Sequence, residues 1–242
     1  MNTTIRNTPD LRILGIAGAA NSGKTTIIRK IIQAAPRSMT IGYLHMGSYI
    51  KKCIFDEIRD IDRSIVNKPY VFRDNDMASF LASNGVIFLP GDIVSILKEF
   101  YSLPSRGVSR LPFFHGCQGR NIGHLIQHKV TRLKSECDDF FIRDTEKRIL
   151  KMIDKVPDLD LIIVDGVRYS ADAMWIRGQE KGRVMMIQGE AFMVDGRDPS
   201  HSSENLTNIP YDFAYLNRSD MAVYRNGNEV MSTQDLVPVF NF

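Results

Sequence analysis

Residues 11–34 read LRILGIAGAANSGKTTIIRKIIQA, and this stretch decides the fold. Its first seven residues form a short apolar run rich in branched side chains, which is typical of a buried central strand. Its last ten residues have apolar side chains at helical spacing, a pattern that Pro36 interrupts. A glycine-bearing turn lies between the two. The order of strand, turn and helix predicts the opening of an α/β domain.

The turn at residues 18–25 satisfies the pattern G-x-x-x-x-G-K-[ST] at every fixed position. Glycines let the backbone bend so that successive N–H groups point into one concavity, at the positive end of a helix dipole. In such a phosphate-binding loop (P-loop) the lysine reaches the β- and γ-phosphates, and the threonine hydroxyl ligates Mg²⁺. We predict that the triphosphate of ATP or a similar nucleotide binds to Gly18, Asn21, Ser22, Gly23, Lys24, Thr25 and Thr26.

Apolar runs and amphipathic patterns alternate along the rest of the chain. Strands are predicted at 39–44, 158–166, 183–189 and 212–217. Helices are predicted at 48–61, within 86–101, within 121–153 and at 170–182, the last of them closed by Gly182. The alternation predicts a three-layer α/β/α fold of the P-loop NTPase class with a doubly wound, mostly parallel central sheet. We expect one domain over 1–242, with a helical lid and substrate-binding insertion at about 67–153.

An acidic residue is needed near the phosphates to hold Mg²⁺. Asp165 ends the apolar run LDLIIVD, where an acid projects from the carboxyl edge of the sheet. We predict that Asp165 and Thr25 hold the metal and that Lys24, Asp165 and Arg168 are catalytic. The alternative for Asp165 is a turn residue in Asp-Gly. For Arg168, a solvated arginine is as good an explanation as a phosphate ligand.

The overall composition is that of an ordinary globular protein, with 43% hydrophobic residues, 24% charged residues and a net charge of +3. Three cysteines at wide spacing argue against a disulfide framework and for a reducing compartment. The first ten residues lack the apolar stretch of a signal peptide, and no apolar run approaches the roughly 20 residues of a membrane span. We therefore expect a cytoplasmic protein without a membrane partner, in the host cytoplasm if the chain is viral.

Beyond the P-loop, four further blocks form a collinear pattern: MGSYIKK at 46–52, LIQHKVTRL at 125–133, the segment 162–189, and DPSHSSE at 198–204 followed by YLN at 215–217. With the P-loop, they resemble the deoxynucleoside monophosphate kinases of large bacterial viruses, which have an adenylate-kinase-like P-loop fold. The blocks span nearly the whole chain except 67–118. This resemblance implies Mg²⁺-dependent phosphoryl transfer from ATP to a deoxynucleoside 5′-monophosphate.

The resemblance also implies an acceptor site, which consists of Lys51, Arg120, Gln127, Thr131 and Arg132. Two positions depart from the family pattern. Val130 replaces a glycine, and His124 replaces an arginine for which Arg120 or Arg132 is the candidate substitute. The segment 85–119, with Arg106 and Arg110, is a candidate lid. The loop at 201–204 either shapes the adenine pocket or is an ordinary surface loop.

Other functions stay open at this point. A P-loop kinase with another small acceptor, such as a nucleoside or a phosphorylated metabolite, carries the same loop. A P-loop GTPase is suggested by Asn217-Arg218-Ser219-Asp220, but the acid-bearing strand ends in DGVR and not in D-x-x-G. A nucleic-acid-associated ATPase, or a nucleotide-binding module without catalysis, fits less well because basic and aromatic residues are little interleaved. We expect nucleotides and no nucleic acid as partners, with a homodimer left open.

Overall fold

A computed structural model describes residues 10–20, 22–53, 75–89, 122–189, 198, 200–217 and 240. Several predicted features lie outside these residues. They include Asn21 of the P-loop, Arg120 of the acceptor site, and the candidate lid beyond residue 89 with Arg106 and Arg110.

Six described strands are β1 (Arg12–Gly18), β2 (Ile41–His45), β3 (Ile87–Phe88), β4 (Leu161–Val167), β5 (Gly182–Gly189) and β6 (Phe213–Asn217). They form one parallel sheet with the order β3-β2-β4-β1-β5-β6. Helices cover both faces of a parallel sheet, so its central strands read as nearly continuous apolar runs. All seven residues of β4 are accordingly buried.

The described helices flank this sheet. They are α1 (Lys24–Ala34), α2 (Asn75–Ser83), α3 (Ile122–Glu136), α4 (Phe140–Lys155) and α5 (Ser170–Arg177). Residues 48–53 are also helical, and a short 3₁₀ helix covers Ser202–Glu204. Within the described ranges, no helix combines the length and the apolar character needed to cross a bilayer.

The two faces of the sheet bury two separate apolar cores. Along β1, Ile13 and Ala17 join a cluster with side chains of α3, α4 and α5, whereas Leu14 and Ile16 join a cluster with side chains of α1 and α2. This alternation follows from the two-residue period of a strand. The described part of the chain is therefore an α/β structure with helices on both sides of a parallel sheet.

Strand register brings three chain segments to one edge of the sheet. Asp165 of β4 lies beside Ile16 of β1, two residues before Gly18. On its other side, Asp165 lies beside His45, the last residue of β2. Because all strands run in the same direction, their carboxyl ends share one edge, which is where α/β proteins bind ligands.

The strand and helix predictions are mostly confirmed. The strands predicted around 11–17, 39–44, 158–166, 183–189 and 212–217 are present, as are two helices within 121–155. The prediction that Gly182 closes a helix is wrong. Helix α5 ends at Arg177 with Gly178 as its cap, and Gly182 is the first residue of β5. The two-residue strand β3 was not predicted, because two residues show no period.

Candidate functional site

The loop between β1 and α1 depends on two glycines. Gly18 has φ +154° and Gly23 has φ +88°, both in the region of positive φ that side chains rarely adopt. A Cβ at Gly18 would also lie 2.7 Å from Ser22 Oγ and 2.9 Å from Ile187 O. Gly23 is the N-cap of α1. The glycines of the sequence pattern are therefore required by the backbone path that turns β1 into α1.

The functional side chains of this loop lie at the start of α1. Lys24 Nζ folds back over the loop and donates hydrogen bonds to Gly18 O at 3.0 Å and Ala19 O at 2.6 Å. Ser22 is buried, whereas Thr25 and Thr26 are exposed in the first helical turn. The N–H groups of a first helical turn have no partner within the helix. This end of α1 can therefore bind an anion, with the Lys24 ammonium beside it.

Asp165 supplies a buried carboxylate next to the loop. Its side chain is 5% exposed, and Tyr43 donates a hydrogen bond from its hydroxyl to Asp165 Oδ2 at 3.2 Å. No described residue donates a hydrogen bond to Asp165 Oδ1. A buried acceptor without a partner costs about 1–3 kcal/mol. Such a cost is typical of a group that is kept for a ligand, and a hard cation is the ligand a carboxylate oxygen favours.

Mg²⁺ fits this arrangement. Among the described residues, no group of three or more His, Cys, Asp or Glu side chains can hold a metal ion. Mg²⁺ does not need such a group, because it usually binds one or two carboxylates together with water and substrate phosphates. Asp165 Oδ1 and the exposed Thr25 hydroxyl are the groups suited to hold it.

His45 and Lys51 form a second group of polar side chains at this edge. The turn after β2 folds so that Gly47 N donates to His45 Nδ1 at 2.9 Å, and Lys51 Nζ lies 3.4 Å from His45 Nε2. The pKa of His45 lies well below its usual value, because of burial and then because of the positive charges of Lys51, Lys24, Arg148 and Arg168. His45 is therefore a neutral imidazole at physiological pH, surrounded by cations.

Arg148 of α4 holds this turn in place. Its guanidinium donates hydrogen bonds from one Nη atom to His45 O at 3.1 Å and to Ser48 Oγ at 2.8 Å. The other Nη atom lies 2.9 Å from Asp144 Oδ2, one helical turn earlier. The arginine is 13% exposed, so these contacts are largely screened from water. α4 thus fixes the chain that carries His45 and Lys51.

Arg168 is engaged with the loop before β6. Its guanidinium donates to Ser203 O at 3.2 Å and forms an ion pair with Glu204 Oε2 at 3.1 Å. The two side chains are 17% and 12% exposed. Asp172, in the first turn of α5, accepts from Arg168 N at 3.4 Å and fixes the backbone here. To bind a phosphate, Arg168 would have to exchange or share its contact with Glu204.

Gln127 and Thr131 also contact this loop. Gln127 is 3% exposed, and its amide forms two hydrogen bonds with the backbone of Asp198, to the carbonyl at 3.0 Å and from the N–H at 2.9 Å. Thr131 Oγ1 lies 3.0 Å from His201 Nε2. These two predicted acceptor-site residues therefore contact residues of the 198–204 segment, which forms a separate block in the sequence.

Arg132 lies apart from this cluster. It pairs with Glu136 on the outer surface of α3 at 3.0 Å, and the two side chains are 66% and 58% exposed. Val130 is buried in the core below α3. Apart from Arg168, the described members of the predicted site thus form three groups: the P-loop residues with Asp165, Lys51 with His45, and Gln127 with Thr131 on α3. Arg132 faces solvent.

Three residues in or beside this edge were not predicted from the sequence: Tyr43, His45 and Arg148. His45 had a usable signal, because it follows the apolar run of β2 directly and therefore lies at a carboxyl end. Tyr43 and Arg148 had none, since their roles depend on which strand and helix lie beside β2. Comparison of the chain with protein-family models, with curated proteins and with solved structures finds no match.

Proposed function

We propose that the chain has a P-loop NTPase fold and is a kinase that transfers the γ-phosphate of ATP to a deoxynucleoside 5′-monophosphate. One observation carries the nucleotide-binding part. The G-x-x-x-x-G-K-T loop follows β1, and a buried Asp165 with an unpartnered Oδ1 among the described residues lies on the neighbouring strand β4. The resemblance of the sequence blocks supports the choice of acceptor.

In this proposal the chain binds and orients two polyanions. The N–H groups of the loop and the first turn of α1 bind the donor phosphates, and Lys24 leaves the carbonyls of Gly18 and Ala19 to neutralise them. Thr25 and Asp165 hold Mg²⁺, which neutralises charge on the phosphates when it is bound. Lys51 binds the acceptor phosphate. Positioning and electrostatic stabilisation dominate such a reaction, so no covalent intermediate on the protein is needed.

The transfer itself balances without a further reactant. An oxygen of the acceptor's 5′-phosphate attacks the γ-phosphorus, and the bond from that phosphorus to the β,γ-bridging oxygen breaks. ADP leaves, and a deoxynucleoside diphosphate forms. Because the attacking phosphate is already ionised at neutral pH, the site does not need a general base. The cations whose charges act on His45, among them Lys24 and Lys51, suit a site that binds two polyanions.

The test is to incubate the chain with ATP and Mg²⁺ and with each common deoxynucleoside and ribonucleoside monophosphate, and to follow the products by ³¹P NMR. We expect ADP and a nucleoside diphosphate from at least one deoxynucleoside monophosphate, and neither product with Lys24→Met. Parallel reactions with nucleosides and phosphorylated sugars test the other small acceptors. If ATP is consumed only with one of those, or is hydrolysed without an acceptor, the proposed acceptor class is wrong.

A further inference from the structure

The hydrogen bond between Gly47 and His45 fixes the proton of the imidazole ring. Gly47 N donates to His45 Nδ1 at 2.9 Å, so Nδ1 carries a lone pair and no proton. A neutral imidazole that accepts at Nδ1 has its proton on Nε2. Lys51 Nζ lies 3.4 Å from this same Nε2. An ammonium group has only donors, so the two groups are a pair of donors that cannot satisfy each other.

The packing around the ring holds Nε2 in one place. Gly166 has φ +85°, and a Cβ there would lie 2.9 Å from His45 Cε1 and 3.1 Å from Nε2. A Cβ at Gly47 would lie 3.0 Å from Cε1. The ring is therefore packed closely against the backbone at both positions, and at Gly166 the positive φ also favours glycine. Arg148 binds His45 O and so also holds the backbone that carries the ring.

The surroundings of the pair favour an anion with more than one negative charge. His45 lies beside Asp165 in the sheet, at the edge where the P-loop begins. The positive charges of Lys24, Arg148 and Arg168 act on the His45 ring in addition to that of Lys51. A phosphate monoester carries two negative charges near neutral pH, and its oxygens accept several hydrogen bonds at once.

We infer that His45 Nε2–H and Lys51 Nζ jointly bind an oxygen of the acceptor's phosphate, with His45 as a neutral hydrogen-bond donor and not as a base. This inference rests on the proposed function for the identity of the acceptor, but the pair of donors does not. Lys51 neutralises the charge of the phosphate, whereas His45 orients the phosphate oxygen because its ring is fixed. His45 is therefore a specificity-determining residue that places the attacking oxygen.

The first test observes the ring directly by nitrogen-15 NMR of protein with labelled histidines, with the His45 signal assigned by its loss in His45→Gln. We expect the Nε2–H tautomer at neutral pH and a shift of this signal when inorganic phosphate is added. The shift should disappear in Lys51→Met and persist in His128→Gln, the matched control on α3. A proton on Nδ1, or no response of His45 to phosphate, would overturn the inference.

The second test separates the two donors by kinetics. His45→Leu removes the donor, whereas His45→Gln keeps an N–H group near the position of Nε2. Loss of a hydrogen bond to a charged group corresponds to a roughly ten- to hundredfold loss of affinity. We expect His45→Leu to raise the KM of the acceptor by that factor, with little change in the KM of ATP, and His45→Gln to restore most of the loss. Circular dichroism and thermal unfolding show that the variants are folded.

The donor pair and the proposed function can be disproved separately. If wild-type protein phosphorylates no monophosphate but inorganic phosphate still shifts the nitrogen-15 signal of His45, the donor pair is supported and the proposed function is wrong. If wild-type protein is an active kinase and His45→Leu has the same acceptor KM, the role of His45 falls and the proposed function stands.

Discussion

At the scale of single residues, Lys24 is the most direct test of the P-loop. Its ammonium donates hydrogen bonds to the backbone carbonyls of Gly18 and Ala19, and we expect its loss to affect the fold little. Removal of one group that stabilises a transition state typically costs about 100- to 1,000-fold in kcat. We expect Lys24→Met to lose at least roughly 100-fold in kcat at nearly unchanged unfolding temperature. Lys30→Met, on the same helix, should keep wild-type turnover; near-normal turnover in Lys24→Met would remove the central assignment.

Asp165 should show opposite effects on stability and activity. In Asp165→Asn the Tyr43 hydroxyl keeps an acceptor of the same shape, but the buried negative charge is gone. A buried carboxylate oxygen without a hydrogen-bond donor is more costly than a buried amide oxygen without one. We expect the free energy of unfolding in urea to be equal to or higher than that of the wild type. Turnover should fall by roughly 100-fold or more. In the presence of ATP, Mg²⁺ should no longer stabilise the protein against unfolding.

The matched control for this change is Asp158→Asn, at an exposed aspartate before β4. This variant should change neither the free energy of unfolding nor the turnover. If Asp165→Asn were strongly destabilised and fully active, the carboxylate would have a structural role and no part in metal binding.

At the scale of elements, α5 begins with a buried acid that should make stability depend on pH. Burial raises the pKa of Asp172 from 3.8 to about 6, although the N–H groups of Arg168 and Tyr169 donate to it. The folded state therefore keeps a proton that the unfolded chain releases. The resulting stability is fully present below the unfolded pKa and is lost as pH rises through about 6, a loss of about 3 kcal/mol.

The variant Asp172→Asn keeps an acceptor for both N–H groups but cannot ionise. We expect its stability relative to the wild type to increase from about pH 4 to about pH 7, by up to about 3 kcal/mol, in urea unfolding at several pH values. Asp138→Asn, at an exposed carboxyl before α4, controls for the loss of a charge. A constant difference between Asp172→Asn and wild type across this range would contradict the assignment.

The junction of α5 and β5 should tolerate a methyl group at one glycine but not at the other. A Cβ at Gly182 would lie 1.8 Å from Ile176 O, so Gly182→Ala must displace backbone. Overpacking typically costs about 1–3 kcal/mol, and we expect at least the upper end here. Gly178 has helical φ and ψ, and its Cβ would lie 3.2 Å from Met174 O. Gly178→Ala should therefore stay within about 0.5 kcal/mol of the wild type in urea unfolding; equal effects would contradict the geometry.

At the scale of the whole molecule, the sequence predicts what is local and misses what depends on neighbouring strands. The P-loop is local, because its glycines are required by the backbone of one turn. The position of Asp165 at the carboxyl edge of the sheet was predictable because it ends an apolar run. The pairing of His45 with Asp165 is set by the order of β2 and β4, which lie more than one hundred residues apart in the chain and which no short pattern specifies. The contact of Gln127 with Asp198 is non-local in the same way, over 71 residues.

That non-local contact leads to a prediction about the molecule as a unit. Several contacts tie the described residues of the 198–204 segment to the rest of the fold, and two of them can be removed separately: the hydrogen bonds of the Gln127 amide with Asp198, and the ion pair of Arg168 with Glu204. If either link is lost, the segment loosens and the other link loses value. The two links should therefore be energetically coupled, although they belong to different elements.

A double-mutant cycle measures this coupling. We expect Gln127→Leu alone to cost about 1–3 kcal/mol, because the partly buried backbone groups of Asp198 lose their hydrogen-bond partners. Combined with Glu204→Ala, the loss should be smaller than the sum of the two single losses by about 0.5–3 kcal/mol. The control cycle joins Gln127→Leu with Glu136→Ala, whose carboxylate is exposed on the same helix, and should be additive within about 0.5 kcal/mol. If the first cycle is also additive, these two links act independently. Arg168 can then leave Glu204 for a phosphate without disturbing α3.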